Sequence, residues 1–331
     1  MAPPRSPSAN CLVIVLVTCL LHHHAAAESP PVDEVELLLQ IKRAWGDPPV
    51  LAAWSAAASA AGAHCRWRYV GCDLAGRVTH LDLYSIDLTG PVPDAIGGLS
   101  SLVHLDLSLN LLHGSIPPGI WNLKKLQVLF VNTNNLTGDM KIDGFTAMSL
   151  TIIDFSENKL NGTIPEVFGH LENLTRLNLT ENNFSGEIPT SIGRLPSLEE
   201  LSLSGNRLTG MLPPELGKHS ILGYVEASDN DLTGAIPEGL CARGQFWATL
   251  RASNNHLNGP IPVGLTCLGH LDLHSNQLSG EIPVNLGGGG LLYLDLHDNQ
   301  LSGEIPANLI YGSLLLWKLN LANNKLSGRI C

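Results

Sequence analysis

The residues best placed to do chemistry lie towards the carboxyl end, where the chain reads LDLHSNQLSGEIP from Leu271 and LDLHDNQLSGEIP from Leu294. His270, Asp272 and His274 alternate in the first copy, and Tyr293, Asp295 and His297 in the second. If both segments are strands, alternate side chains share a face. Imidazoles and carboxylates on one face suit two kinds of chemistry. They can ligate a divalent metal, or they can change charge as external pH falls through the histidine range. The competing explanation is copying of the LDLH string, which places the same residues there with no chemical role, and no metal site is assigned.

Nothing else assembles a reaction centre. There is no kinase signature. Isolated Asp and His residues on an open sheet lack the closed pocket that a nucleophile and base, or a carboxylate pair, require. The glycine run at 287–290 is not followed by the Gly-Lys-Ser/Thr of a phosphate loop and reads as a flexible turn. The expectation is a protein without catalysis and with no cofactor.

The elements that must position these residues follow from the repetition itself. A template L-x-x-L-x-L-x-x-N-x-L-x-G-x-I-P fits from Val78 to the end, with units starting at Val78, Leu102, Leu126, Leu150, Leu174, Leu198, Leu222, Trp247, Leu268, Leu291 and Leu316. Asn holds the ninth position in every unit but the first, as Asn110, Asn134, Asn158, Asn182, Asn206, Asn230, Asn255, Asn276, Asn299 and Asn324; the first has Ile86. A unit of about 24 residues cannot bury its own apolar side, so it stacks on a copy of itself. The L-x-L alternation reads as a short strand with leucines inward, and stacking at ~4.8 Å makes a curved rod on the order of 50 Å long. The Asn amide can satisfy backbone groups left open where each strand turns. Gly and Pro late in the unit break the chain into a turn on the convex side. The third unit lacks the Ile-Pro pair, so an irregularity is expected at 140–145, and the eighth and ninth units are shortened.

Composition agrees with a packed, extracellular chain. Of 331 residues, 44% are hydrophobic and 15% charged, which argues against disorder. A net charge of −11 with only 19 Lys and Arg leaves no basic footprint for nucleic acid. Arg5, the apolar run from Cys11 to Leu21 and Ala25-Ala26-Ala27 fit a signal peptide over 1–27. Eleven apolar residues are too few to span a bilayer, and no other segment is expected to. Five cysteines remain after cleavage, in a compartment where disulfides persist. Cys241 and Cys267 follow matching IPEGL and IPVGLT segments, so they pair or stand as two small buried thiols.

The unit resembles the plant-specific leucine-rich repeat, and DEVELLLQIKRAW, LAAW, CRWRYVGCD and GRVTHLDL resemble the amino-terminal cap of plant leucine-rich-repeat receptors. The resemblance implies an α/β repeat solenoid: a right-handed leucine-rich-repeat superhelix (horseshoe) with a parallel concave sheet and an N-terminal helical cap. It divides the chain into 1–27, a cap over 28–77, and about eleven repeats over 78–331, the last incomplete. It also implies a Cys65–Cys72 bridge, with Tyr69 standing where the family usually has Gly. An amphipathic helix over 35–45 is expected to lie over the first strand. Cys331 falls where a unit stops short, which reads as a truncated chain.

Function is expected on the concave face, at template positions 3, 5, 7 and 8. The candidates are Tyr84, Asp106, Phe130, Asp154, Arg176, Glu200, Tyr224, Glu226 and Arg251, with His270, Asp272, His274, Tyr293, Asp295 and His297. The family's receptors bind peptides or partner ectodomains along this face, so the resemblance implies a peptide or protein ligand, with a co-receptor ectodomain as a further partner. An acidic groove favours a basic or neutral ligand. The alternative class is a secreted inhibitor similar to polygalacturonase-inhibiting proteins. Sequons at Asn135, Asn161, Asn173, Asn178 and Asn183 are glycan acceptors in a secreted chain.

Overall fold

The structure, a computed structural model, describes residues 33–56, 62–140, 142, 144–243, 248–311 and 315–328. The expected signal segment 1–27, the unit start at Trp247 and Cys331 lie outside the described residues. Among the described residues no helix is long and apolar enough to cross a membrane.

The cap begins with the helix Glu34–Ala44, within one residue of the expected bounds. Asp33 caps it, accepting from the Val35 and Glu36 amides, and its acidic first turn and basic last turn suit the helix dipole. Leu38 and Ile41 are its buried face. It reaches the first strand through Glu34, whose Oε2 accepts the Val78 amide at 2.8 Å, and Leu38 and Ile41 join the core of Val78 and Leu81. The edge of that strand is closed by Val70–Cys72, pairing antiparallel with Val78–Asp82 at Val70↔Leu81 and Gly71↔His80. The helix also lies against the turn Asp94–Gly98, so close that a Cβ on Gly98 would sit 2.8 Å from Leu37 Cδ1. Trp54 and Trp67 stack at 5.8 Å inside the cap, and a disulfide joins Cys65 to Cys72. Tyr69 takes φ +74, the left-handed conformation that Gly adopts without steric cost.

Eleven parallel strands in chain order, from Val78–Asp82 to Lys318–Asn320, complete a twelve-stranded sheet with the cap strand. The register pairs like with like: Leu105 faces Leu129 and Leu129 faces Ile153. Leu81, Leu105, Leu129, Ile153, Leu177 and Leu201 thus form one fully buried column. Deleting one such side chain costs ~2–5 kcal/mol. Among the described residues the one register shift on the parallel side, at Ala248/Thr249, falls where the shortened eighth unit begins.

The ninth-position asparagines wire each unit to the one before it. Asn134 Oδ1 accepts the Leu112 amide at 2.9 Å, and its Nδ2 donates to the Leu107, Val131 and Asn132 carbonyls at 3.0, 3.1 and 3.2 Å. The pattern recurs down to Asn324. This direction accounts for Ile86: the first unit has no preceding repeat for an asparagine to serve, only the antiparallel cap strand.

Past each strand the backbone turns through a left-handed residue at the eighth position, including Leu109 (φ 55) and Thr133 (φ 54), which ordinarily avoid it. Interunit bonds hold it there: Leu109 N donates to Asn132 O at 3.0 Å and Thr133 N to Ser156 O at 2.9 Å. The stretch expected to be a convex turn then forms a second set of short parallel strands, in sheets of six and five, before the Pro-led 3-10 turns such as Pro118–Asn122. The glycine run, expected to be flexible, is closely packed at Gly287 and Gly288 and open at Gly289. A Cβ on Gly288 would meet the Thr266 carbonyl oxygen at 2.5 Å.

Candidate functional site

The long sheet turns its third and fifth template positions away from the leucines. The seventh position, expected outward, turns in where it holds serine: Ser108, Ser156, Ser204, Ser228 and Ser253 are buried, whereas Tyr84 at that position is exposed and His274 and His297 are half-buried. The reason is local. The strand ends at the fifth residue, and the left-handed residue ahead exposes an amide two positions on, which an Asx side chain can accept. Asp106 Oδ1 takes the Ser108 amide at 2.9 Å and its hydroxyl at 2.5 Å. Asp154 does the same for Ser156 at 3.0 and 2.6 Å. Asp272 and Asp295 accept the His274 and His297 amides at 3.4 and 3.3 Å. These carboxylates, read from the sequence as ligand contacts, close turns first.

Near the cap, His80 and His104 stack at 5.7 Å, Phe130 meets His104 edge-on at 5.9 Å, and Asp82 Oδ1 lies 3.0 Å from His104 Nε2. Tyr84 stands at 55% exposure.

The middle of the face is charged. Arg176 Nε is 2.7 Å from Glu200 Oε2, and Arg251 is 3.8 Å from Glu226. The Tyr224 hydroxyl donates to Glu226. Burial, and then that bond to a carboxylate, push the phenol up to about 12, so it stays a donor. Around them lies a concavity of about 410 Å³ whose lining also includes Ser156, Glu157, Asn178 and Thr180.

Towards the other end His270 stacks on Tyr293 at 5.9 Å, and burial, reinforced by the Arg251 charge, holds His270 below the usual histidine range. Trp317, 68% exposed, meets Tyr293 edge-on at 5.4 Å. His274 and His297, at the same template position in successive units, stack at 4.5 Å. Asp295 is a correction: it is only 2% exposed, beneath His297 Nδ1 at 2.5 Å and Lys318 Nζ at 3.0 Å. Burial opposes its charge, but the bonds from His297 and Lys318 prevail and keep its carboxyl below the usual range. Lys318 is raised in turn by its bonds to Tyr293 and Asp295. The sequence set stops at the last complete unit and so omits Lys318 and Trp317, although Lys318 holds the same third position as His270 and Tyr293.

The metal reading of this patch finds no converging donors. Among the described residues the one such set is His64, Cys65 and Cys72, whose ligand atoms lie within 4.8 Å of one another, and both sulfurs are bonded together. Cys241 and Cys267 are also bridged, with Cα atoms 5.4 Å apart. Of the sequons, Asn135, Asn161 and Asn173 are exposed, while Asn178 and Asn183 are half-buried.

Comparison with known proteins agrees with this architecture. Leucine rich repeat models match residues 148–208 and 101–123, 267–288 and 290–311; a leucine rich repeat N-terminal domain model matches 32–73. The ectodomain of the Arabidopsis thaliana receptor kinase GASSHO1/SCHENGEN3, solved in complex with CASPARIAN STRIP INTEGRITY FACTOR 2, is 37% identical with a TM-score of 0.79, over 90% of this chain and 36% of that one. A plant ice-binding protein is 30% identical with a TM-score of 0.65, over 90% of this chain and 88% of its own. Polygalacturonase inhibitor 1 of Oryza sativa subsp. japonica is 33% identical over 92 residues, 28% of this chain and 26% of that protein. The chain thus spans about a quarter of the length of the curated inhibitors it matches. With its cap, its asparagine-wired units and these neighbours, the chain belongs to the leucine-rich-repeat family and is similar to plant receptor ectodomains.

Proposed function

We propose that this chain is an extracellular recognition module that holds a peptide or protein ligand against the long sheet, as the perceiving part of a plant receptor-like kinase or receptor-like protein. The domain reading goes with it: a signal segment at 1–27, a cap at 28–77 and repeats from 78. The observation that carries the proposal is the concavity edged by Glu157, Asn178, Glu200, Tyr224 and Glu226, open on a regular backbone and flanked by aromatic and histidine groups at both ends. Carboxylates outnumber guanidinium groups there, so a basic or neutral ligand fits best. The GASSHO1/SCHENGEN3 ectodomain, similar over most of this chain, is itself solved with a bound factor, which supports a ligand-holding face; a co-receptor ectodomain as further partner is part of the same reading.

A second reading, inhibition of a cell-wall-degrading enzyme, is favoured by the similarity to polygalacturonase inhibitor 1. One pair of measurements separates the two. The secreted chain is titrated by calorimetry with synthetic peptides of positive, zero and negative charge, and added to polygalacturonase assays. Binding of the positive peptides that falls at least tenfold in E226K supports the proposal. Polygalacturonase inhibition without peptide binding replaces it with the second reading.

A further inference from the structure

We propose that oligosaccharides occupy Asn135, Asn161 and Asn173 while Asn178 stays bare, so that sugar covers the second sheet of the third and fourth units and leaves the opening on the long sheet clear. The inference rests on passage through the secretory route and not on the recognition reading. Transfer joins the Asn Nδ2 to the anomeric carbon of a lipid-diphosphate-linked oligosaccharide. That carbon's bond to the diphosphate breaks, the amide loses one proton, and the lipid diphosphate leaves. The attached sugar must then find solvent once the units have stacked.

The five sequons differ sharply on that test. Asn135 and Asn161 lie exposed in the second-sheet strands Asn135–Asp139 and Lys159–Gly162, and Asn173 lies exposed in the turn before the strand Arg176–Asn178. The Asn178 amide is already used at both ends. Its Nδ2 donates to Asp154 Oδ2 at 3.2 Å and its Oδ1 accepts the Thr180 amide at 3.1 Å. Its strand is flanked by paired strands on both sides, and its side chain lines the opening, leaving a branched sugar no outlet except across the groove.

Asn183 is excluded by a neighbour. It is the register partner of Asn161 on the adjacent strand, where strands run ~4.8 Å apart, too close for two branched oligosaccharides side by side. Asn161 is the more exposed of the two, and Asn183 Oδ1 also takes a bond from Arg207 Nη2 at 3.4 Å. One sugar serves the pair, on Asn161.

The full chain is expressed in a eukaryotic secretory host, and its glycopeptides are mapped by mass spectrometry after enzymatic release of sugar in heavy-oxygen water. The expected map shows Asn135, Asn161 and Asn173 occupied, Asn178 empty, and no molecule modified at both Asn161 and Asn183. T163A, which removes only the Asn161 sequon, should move the sugar to Asn183 and raise its occupancy several-fold. Sugar on Asn178, a doubly modified Asn161 and Asn183 pair, or a chain that carries no sugar, in the medium or retained, overturns the proposal.

Discussion

Asn158 Oδ1 lies 3.0 Å from the Leu136 backbone nitrogen, 22 positions earlier in the chain. The same side chain donates to the Val131 carbonyl of that earlier unit and to Phe155 and Ser156 of its own, at 3.0 to 3.1 Å. N158A should therefore strand a buried donor and a buried acceptor in the unit ahead. A loss of about 3 kcal/mol is expected, read as a lowered urea midpoint. N324A, at a half-exposed site, should cost about 1 kcal/mol or less by the same measurement. Equal losses would contradict the wiring described here.

Asp295 supplies a pH dependence with a definite sign. Its folded carboxyl titrates below the usual range, so it binds protons less readily folded than unfolded. Its stabilisation is complete above the unfolded value, ~3.9, and fades as pH falls through the lower folded value. D295N should melt below wild type at neutral pH, and the gap should narrow as pH falls below about 4. A gap that changes near neutrality would show that another group governs this end.

Glu34 runs the other way. Burial, the leading effect, raises its carboxyl even though it accepts the Val78 amide at 2.8 Å. The folded state thus favours the protonated form, and stability should decline as pH climbs from the unfolded value through the folded one. E34Q keeps an acceptor without the charge and should melt no lower than wild type at pH 7. E34A leaves the Val78 amide unpartnered and should lose about 1–3 kcal/mol. If E34Q is as damaging as E34A, the carboxylate charge itself is needed, facing His64 Nε2 at 3.8 Å.

The glycine run tests packing against conformation. Gly288 and Gly289 both have positive φ, but only at Gly288 would a Cβ collide, with Thr266 O at 2.5 Å; at Gly289 nothing lies within 4 Å. G289A should cost ~1 kcal/mol for the left-handed backbone alone, and G288A clearly more. Matching thermal shifts for the two variants would mean that the turn yields freely.

Much of this was legible in the residues. The leucine columns, the asparagine row and the His274–His297 adjacency all follow from a period that repeats, and the cap helix from apolar residues at helical spacing. The second sheet was hidden because its strands, such as Asn183–Glu187, carry little apolar alternation; they are held by backbone pairing to neighbouring units. The cap strand Val70–Cys72 was hidden because three residues with a central glycine read as loop. The local task of Asp106 and Asp154 was concealed for a subtler reason. It arises from left-handed backbone at Leu109 and Glu157, and neither residue announces that conformation.

The backward reach of the asparagines makes the molecule behave like a zip with a direction. Each tooth is finished by its successor, so a cut between two of them strips the asparagine's service from the side nearer the cap, while the leucine column is opened on both. Genetic gain or loss of whole teeth leaves the mechanism intact. Slippage by part of a tooth would set every amide beyond it against the wrong partner.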